Sequence, residues 1–567
     1  VDAMEEFTGA QILWKALEDE GVDTIFGYPG GAVIDYYHEL TNANIKHILV
    51  RHEQGAVHAA DGYARATGKV GVSIVTSGPG ATNTVTGIAT AYMDSIPMVV
   101  FTGQVPTSLI GNDAFQEVDI VGITRPCTKH NYLVKDINDL EATIKEAFYL
   151  AKSGRPGPVL VDIPKDITTG RTAYKNIKDV KMPSYNPNYK PNMKQLQRVV
   201  ELIKKAEKPV IFGGGGIALS KSAEAFTKFA KLTDIHVTTS LMGLGTFPGT
   251  DEKWLGMLGM HGTYRANMAI SEADLIIAVG VRFDDRVTGK TDEFAAKATI
   301  VHIDIDPTSI HKNVSVDIPI VGDCKLTLEA LNSLVETQIE KQAMPSERQE
   351  WNQMVEEWKN TTPLSYDQNE EVIKPQYVIE KLFDITNGDA VVSTEVGQNQ
   401  MWAAQYYHFK NPDNWLTSGG LGTMGYGFPA AIGAQAGRPG ELVVDIAGDG
   451  SIQMNIQELA TAVQYNLPVK IVILNNRFLG MVRQWQGLFY NKNYSGTDMT
   501  HAPDFVKLAE AYGAKGFRAV KPSEVEETLR KGIEAEGPVI MEFVVDREEN
   551  VYPMVPAGAP ITKMLLV

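Results

Sequence analysis

Residues 442–476 read LVVDIAGDGSIQMNIQELATAVQYNLPVKIVILNN. An apolar run ends on Gly448-Asp449-Gly450, a helix-length stretch follows, and a second apolar run ends on Asn475-Asn476. Strand, helix, strand in that order predicts a βαβ unit with two parallel strands side by side. Asp449 and Asn476 then stand at neighbouring strand ends, a carboxylate beside an amide oxygen. Such a pair suits Mg2+, a hard cation that takes oxygen ligands and keeps positions open for phosphates. A Gly-Asp-Gly turn alone is more often only a turn. The 24 residues between Gly450 and Asn475 are what give the pairing its weight.

The same grammar runs outward through the chain. VGVSIVTSGPG, PMVVFTGQ, GPVLVDIP, KPVIFGGGG, ADLIIAVG, TIVHIDID, DAVVSTEVG and PVIMEFVV are short apolar runs stopped by Gly, Pro or Asp, with helix-length segments between them. Continuous apolar strands are what a parallel sheet covered on both faces requires. The class is therefore α/β, with doubly wound parallel sheets. Residues 180–195, rich in Pro and Asn, and the polar stretch 337–375 read as linkers. They divide the chain into blocks 1–180, 190–340 and 370–550 with a tail, 551–567, each block within the usual domain range. No short internal repeat, low-complexity tract or heptad array is visible.

Composition narrows the function classes. The 567 residues carry 52 Lys+Arg against 69 Asp+Glu, a net charge of -17. That acidic balance, mixed along the chain, argues against nucleic acid or an anionic membrane as main partner, since phosphate binding needs a concentrated positive face. The 2 cysteines, Cys127 and Cys324, stand alone, which excludes a disulfide scaffold, a structural zinc site and a thioredoxin-like motif. No apolar run reaches the ~18 residues of a membrane span, and the opening VDAMEEFTG lacks a basic-then-apolar signal. The expected location is cytoplasmic. His52-Glu53 invites comparison with HExxH, but position 56 is Ala, so a zincin reading fails.

The paired GDG and NN motif resembles the diphosphate-binding motif of thiamine diphosphate (ThDP) enzymes. FGYPGGAVIDYY, RHEQGAVHAADGYARATGKVGVSIVTSGPGATN, FQEVDIVGITRPCTKHNYLV, LGMHGTYRANMAISEADLIIAVGVRFDDRVTG, GGLGTMGYGFPAAIGAQ and LGMVRQWQ extend the likeness over nearly the whole chain. Together they resemble the catalytic large subunit of the acetohydroxyacid synthase (acetolactate synthase) family. The resemblance implies a pyrimidine-binding first block, a central FAD-binding block and a third block that binds the diphosphate and Mg2+. It implies a carboligation: pyruvate is decarboxylated on ThDP, and the two-carbon unit joins a second pyruvate, giving 2-acetolactate, or 2-ketobutyrate, giving 2-aceto-2-hydroxybutyrate. These feed valine, leucine and isoleucine biosynthesis.

Site residues follow from the same likeness, position by position. Glu53 is placed against the pyrimidine N1′, with Tyr28, Pro29, Gly30, Pro79 and Asn83 around it; read alone, Glu53 is a surface acid at a helix start. Gln116 and Lys165 match residues near the reacting centre. Met424 matches an apolar wedge that folds the cofactor, beside Gly422. Val396, Gly397, Gln398, Asn399, Gly450, Ser451, Leu479, Gly480 and Met481 match the diphosphate side, and Asp449, Asn476 and Phe478 the metal. Family members often carry His where this chain has Asn399; Asn can still donate to a phosphate oxygen, but it cannot carry a positive charge. Arg286 is expected to meet the carboxylate of the second 2-ketoacid, and Trp485 to pack beside its alkyl group and favour 2-ketobutyrate; the bland readings are a surface ion pair and a core aromatic.

For FAD, Gly213, Gly214 and Gly215 open a weak G-x-G-x-x-A pattern ending at Ala218. Arg155, Ser240, Leu241, Leu258, Met260, His261, Gly280, Val281, Arg282, Asp284 and Arg286 match further flavin contacts, as do Asp304, Ile305, Asp323 and Cys324. The flavin of the family is largely structural, since the implied reaction has no net redox change. The resemblance also implies a homodimer or a dimer of dimers and a small regulatory subunit. Alternatives on the same architecture are a pyruvate oxidase or decarboxylase using ThDP with FAD, a flavin-free catabolic acetolactate synthase, and a degenerate non-enzymatic paralogue. The last predicts loss of Glu53, Asp449 or Asn476, and all three are present.

Overall fold

Each apolar run named above forms a strand, and the strands assemble into three six-stranded sheets. The computed structural model describes residues 4–345 and 347–567, so of the opening VDAM only Met4 is among them. In the first sheet the strand order is Lys46–Leu49, Thr24–Tyr28, Gly71–Val75, Met98–Gln104, Pro158–Pro164, His130–Leu133. In the third it is Trp415–Leu416, Val391–Thr394, Val443–Gly448, Lys470–Asn475, Val539–Val544, Lys515–Ala519. Numbered along the chain, both run 2-1-3-4-6-5, a repeat of topology that the sequence hides. The central sheet runs Trp254–Met257, His236–Thr239, Pro209–Gly213, Leu275–Val279, Thr299–Asp304, Ile318–Val321, which is 3-2-1-4-5-6. Every pairing within these sheets is parallel. The α/β class with three parallel sheets therefore holds, and ligands of such sheets bind beyond the carboxyl ends where strand order reverses.

The first and third sheets are joined inside one chain by two helices. Glu53–Thr67 is Ala- and Gly-rich, and it packs against Gly427–Gly437, of the same composition. A Cβ on Gly62 would stand 2.1 Å from the Ala430 carbonyl oxygen, and one on Gly433 1.8 Å from that of Ala59, so glycine sets the backbone separation. Glu53 starts one helix and Met424 lies just before the other. A shared apolar cluster runs through both domains, including Val57, Ala60, Phe428 and Ile432.

Both stretches read as linkers need correction at their ends. Residues 193–195 already belong to the helix Met193–Lys205, capped by the Asn192 side chain. Within 337–375 lies a helix, Gln349–Thr361, that buries Trp351 and Val355 in the central core. Its charged surface masks Trp351, Met354, Val355 and Trp358 at i, i+3, i+4 and i+7, the apolar stripe by which a helix lies on a core. The segment 551–567 folds back on the central domain: Val555 N–H donates to the Met260 carbonyl at 2.8 Å, and Ile561 is buried in the same cluster.

Candidate active site

At the carboxyl end of the third sheet, Asp449 opens a short helix after the Val443–Gly448 strand, and Asn476 follows the adjacent Lys470–Asn475 strand. Asp449 is buried, and neither carboxylate oxygen has a hydrogen-bond partner among the described residues. Burial pushes its pKa up to about 7. An orphaned buried carboxylate beside an amide is the environment a cation would satisfy. Asn476 Nδ2 donates to Gln398 Oε1 at 3.0 Å, and its Oδ1 accepts the Phe478 N–H at 3.1 Å. Among the described residues no cluster of three or more His, Cys, Asp or Glu suited to a metal occurs, so any cation here relies on ligands of another kind.

Two glycines make room at this end. A Cβ on Gly480 would collide with Gln398 Oε1 at 2.1 Å and Asn476 Nδ2 at 2.7 Å. Gly397, at φ 150, has a backbone that side chains rarely allow and precedes the helix Gln398–Tyr406, which follows the strand paired with Asp449's. The Asn399 side chain is engaged within the protein. Its Nδ2 is committed to the carbonyls of Glu395 (2.8 Å) and Ile446 (2.9 Å), so only the backbone N–H is left for an anion. Gln398 is similar: its Nε2 donates to Gln484 Oε1 and the Glu549 carbonyl, both at 2.9 Å. Ser451 Oγ faces back onto Gly448, accepting its N–H at 3.2 Å, and Leu479 caps the space over Gly450.

A cavity of about 880 Å3 opens from this end toward the central sheet. Val396, Gly397, Gly422, Met424, Met481, Val482 and Trp485 form one part of its wall. Ser240, Leu241, Leu258, Met260, His261, Gly280, Val281, Arg282, Asp284, Arg286, Asp304, Ile305, Asp323 and Cys324 form the other. That second part lies where the central order reverses, between Pro209–Gly213 and Leu275–Val279, the place for a dinucleotide. The glycine loop fits the role through Gly215 and Gly216, which line the cavity, rather than through Gly213 or Gly214. Gly213 is a packing glycine: a Cβ there would meet the Phe226 ring at 2.6 Å. At Gly214 it would meet the Gly280 carbonyl oxygen at 2.6 Å. Arg155 reaches the cavity already paired, Nη1 to Asp306 Oδ2 at 2.8 Å. Burial lowers the His261 pKa to about 4, keeping it neutral, and raises that of the Cys324 thiol.

Arg286 also faces the cavity with no carboxylate at ion-pair distance among the described residues; Met260 Sδ lies 3.7 Å from its Nη1. Trp485 packs edge-on to Phe489 at 5.7 Å. Glu53, Gln116 and Lys165 do not line this cavity. They gather at the carboxyl end of the first sheet. Asn83 Nδ2 donates to Glu53 Oε2 at 2.9 Å, Gly30 lies against Thr76, and Gly78 against the Gln116 backbone. Gln116 has φ 58, a left-handed conformation uncommon for its type. Lys165 Nζ donates to the Gly31 carbonyl at 2.9 Å and Asp35 Oδ2 at 3.3 Å. Tyr28 and Pro29 end the Thr24–Tyr28 strand beside this group, and Pro79 opens the turn leading to Asn83.

Comparison with known proteins bears on both halves. Family models described as the thiamine pyrophosphate enzyme N-terminal TPP binding domain, central domain and C-terminal TPP binding domain match residues 7–123, 196–331 and 395–543. The chain is 52% identical over 569 residues to acetolactate synthase isozyme 3 large subunit of Escherichia coli (strain K12), covering 99% of each. The chain belongs to the acetolactate synthase family of thiamine pyrophosphate enzymes. It is also 49% identical to the acetolactate synthase large subunit of Haemophilus influenzae, across 99% of each chain. With chloroplastic acetolactate synthase 1 of Nicotiana tabacum it shares 50% over 97% of its length and 83% of the relative's.

Several groups of this acetolactate synthase fold that steady the site escape a reading of motifs. Glu395 sits in the quoted run DAVVSTEVG; its carboxylate accepts the Gly425 and Phe428 N–H groups, each at 2.8 Å, on either side of the turn after Met424. Glu458 sits in the quoted NIQELA and is wholly buried, its carboxyl pushed up to about 7 by burial. The available signal was a charged residue inside an apolar run, which burial must pair.

Proposed function

We propose that this chain decarboxylates pyruvate and ligates the two-carbon unit to a second pyruvate or to 2-ketobutyrate. What carries the reading is one cavity whose wall holds Met424, Trp485 and Arg286, the last without a carboxylate partner among the described residues, next to a dinucleotide cradle. Bound thiamine diphosphate supplies the carbon nucleophile and the electron sink for loss of carbon dioxide. Glu53, oriented by Asn83, holds a proton at the pyrimidine N1′ through the oxygen that Asn83 leaves open. The N–H groups at the start of the Gln398–Tyr406 helix would receive the diphosphate, and Asp449 with Asn476 would hold its Mg2+. Met424, tied through Gly425 to Glu395, would pack against the bound cofactor. Arg286 docks the acceptor's carboxylate and Trp485 bounds its alkyl group. FAD occupies the central cradle as a structural group.

The separation of Glu53 from the Met424 cavity supports a homodimer in which one copy's first domain completes the other's third. Exposed apolar groups on the first domain's loops, Phe115 at 89% exposure and Leu109 among them, support the same arrangement. Relatives named large subunits support a small regulatory partner. Two lone thiols, and no helix among the described residues long and apolar enough to cross a membrane, support a cytoplasmic location. The test is a product assay with pyruvate, 2-ketobutyrate, ThDP, Mg2+ and FAD. Acetolactate and acetohydroxybutyrate are expected; acetaldehyde or acetate alone, or flavin bleaching at a catalytic rate, would overturn the reading.

A further inference from the structure

The segment Glu458–Tyr465 belongs to the third domain, yet its side chains grip the first domain just ahead of Glu53. Arg51 N–H donates to Glu458 Oε1 at 3.0 Å and Oε2 at 3.3 Å. Thr461 Oγ1 donates to Glu458 Oε2 at 2.8 Å. Leu49 N–H donates to the Tyr465 hydroxyl at 2.8 Å, and the Arg51 guanidinium donates to Gln464 Oε1 at 2.6 Å. A Cβ on Gly55 would come within 2.7 Å of Glu458 Oε1, so the first turn of the Glu53–Thr67 helix sits directly on this carboxylate. The grip falls at an edge of the first domain's sheet. Lys46–Leu49 is an edge strand with one neighbour, and nothing in its own sheet holds the turn from Val50 to His52 on the outer side. Carboxylate contacts to backbone N–H groups are strong and directional.

We propose that Glu458 is a positioning residue that fixes the Glu53 carboxylate of its own chain through the Arg51 backbone. The inference rests on the reading above that one copy's Glu53 works with the other copy's Asp449. Glu458 lies nine residues after Asp449 in the chain, yet it serves the opposite site of the dimer from the one Asp449 helps build. A buried third-domain carboxylate thereby ties the pyrimidine half of one site to the diphosphate half of the other.

Mixed dimers separate these roles. One tagged chain carries Glu53→Gln and the other Asp449→Asn, so one site lacks both groups and the other keeps both. Turnover in the doubly purified mixed dimer, absent from either parent alone, checks the shared-site reading; no turnover overturns that reading and the proposal with it. Given turnover, Glu458→Gln goes into one chain or the other. In the Asp449→Asn chain, which supplies the working Glu53, it is expected to lower acetolactate formation and exchange of the cofactor's C2 proton at least about tenfold. In the Glu53→Gln chain both rates are expected to stay within about twofold. Equal losses in both placements, the pattern of a folding defect, overturn the proposal. So does a loss confined to the Glu53→Gln chain, or no loss in either.

Discussion

The Arg65 guanidinium meets the Asp94 carboxylate at 2.9 Å, with neither side chain more than 6% exposed. Both belong to the first domain, but what they hold is in the third. Asp94 accepts the N–H groups of Gly419 (3.1 Å) and Gly420 (2.8 Å), and Arg65 donates to the Thr417 carbonyl at 2.5 Å. The chain that leads to Gly422 and Met424 thus starts from a fixed anchor. Asp61 stabilises it further, accepting from Arg65 at 2.6 Å and from the Tyr426 hydroxyl at 2.8 Å.

Breaking a buried pair leaves an uncompensated charge at a cost of about 3–5 kcal/mol. Because Asp61 remains as a partner, Asp94→Ala is expected near the lower figure, about 3 kcal/mol, in denaturant unfolding. It should also weaken ThDP binding, since the freed turn carries Met424. A loss under about 1 kcal/mol would show that the pair does not anchor the turn.

Asp449 gives a prediction of opposite sign. Its orphaned carboxylate is a liability in the cofactor-free protein, so Asp449→Asn should leave that form as stable as the parent or more stable. With Mg2+ saturating, the parent should gain about 2.7 kcal/mol when ThDP is supplied at a hundred times its Kd, and the variant should lose most of that gain. Thermal unfolding with and without the cofactors reads both. A destabilised cofactor-free variant would mean that Asp449 has a structural partner instead.

Buried carboxyls also set an unusual pH dependence. Burial raises Glu458 and Asp162 each to about 7, above their ordinary values of 4.5 and 3.8. The folded state therefore keeps protons that the unfolded chain has released. Stability from these groups is full below the ordinary values and is lost as pH rises toward 7. Cofactor-free protein should be less stable at pH 7.5 than at pH 5.5, and Glu458→Gln should flatten the slope by up to about 1.4 kcal/mol per pH unit. Denaturant midpoints across that range decide it; a rising slope in the parent would contradict the assignment.

What the sequence disclosed tracks position in the sheets. The apolar runs read as strands are all interior, buried on both faces, as in Val443–Gly448 and Pro158–Pro164. The edge strands escaped that reading because one flank meets solvent or loop. Lys46–Leu49, His130–Leu133 and Lys515–Ala519 alternate or carry charge and so look like connections. Two interior strands escaped as well, His236–Thr239 for want of hydropathy and Thr24–Tyr28, whose apolar core is only Ile25-Phe26 before Gly27. At the site, the glycines and the Asp449–Asn476 pair were legible because their spacing is local. The commitments of Asn399 and Gln398 to main-chain carbonyls and to Gln484 were not, since those partners lie up to 151 residues away in the chain.

Arg286 and Trp485 should separate docking from selection. With no carboxylate partner among the described residues, Arg286 is available to an incoming acceptor acid. Arg286→Gln removes a charge-assisted contact of about 2–3 kcal/mol, so ligation should fall about 30- to 150-fold while decarboxylation continues, and acetaldehyde should appear in place of acetolactate. Lys at this position restores charge without the planar fork, so Arg286→Lys should recover only part of the rate. Trp485→Leu should act on preference instead. One methylene in an apolar pocket is worth about 1–3 kcal/mol, which bounds the effect. The ratio of acetohydroxybutyrate to acetolactate, measured with both acceptors in competition, is expected to fall toward unity with total turnover less affected. An unchanged ratio would remove Trp485 from acceptor choice, and equal loss of decarboxylation and ligation in Arg286→Gln would move that residue from docking the acceptor to holding the cofactor.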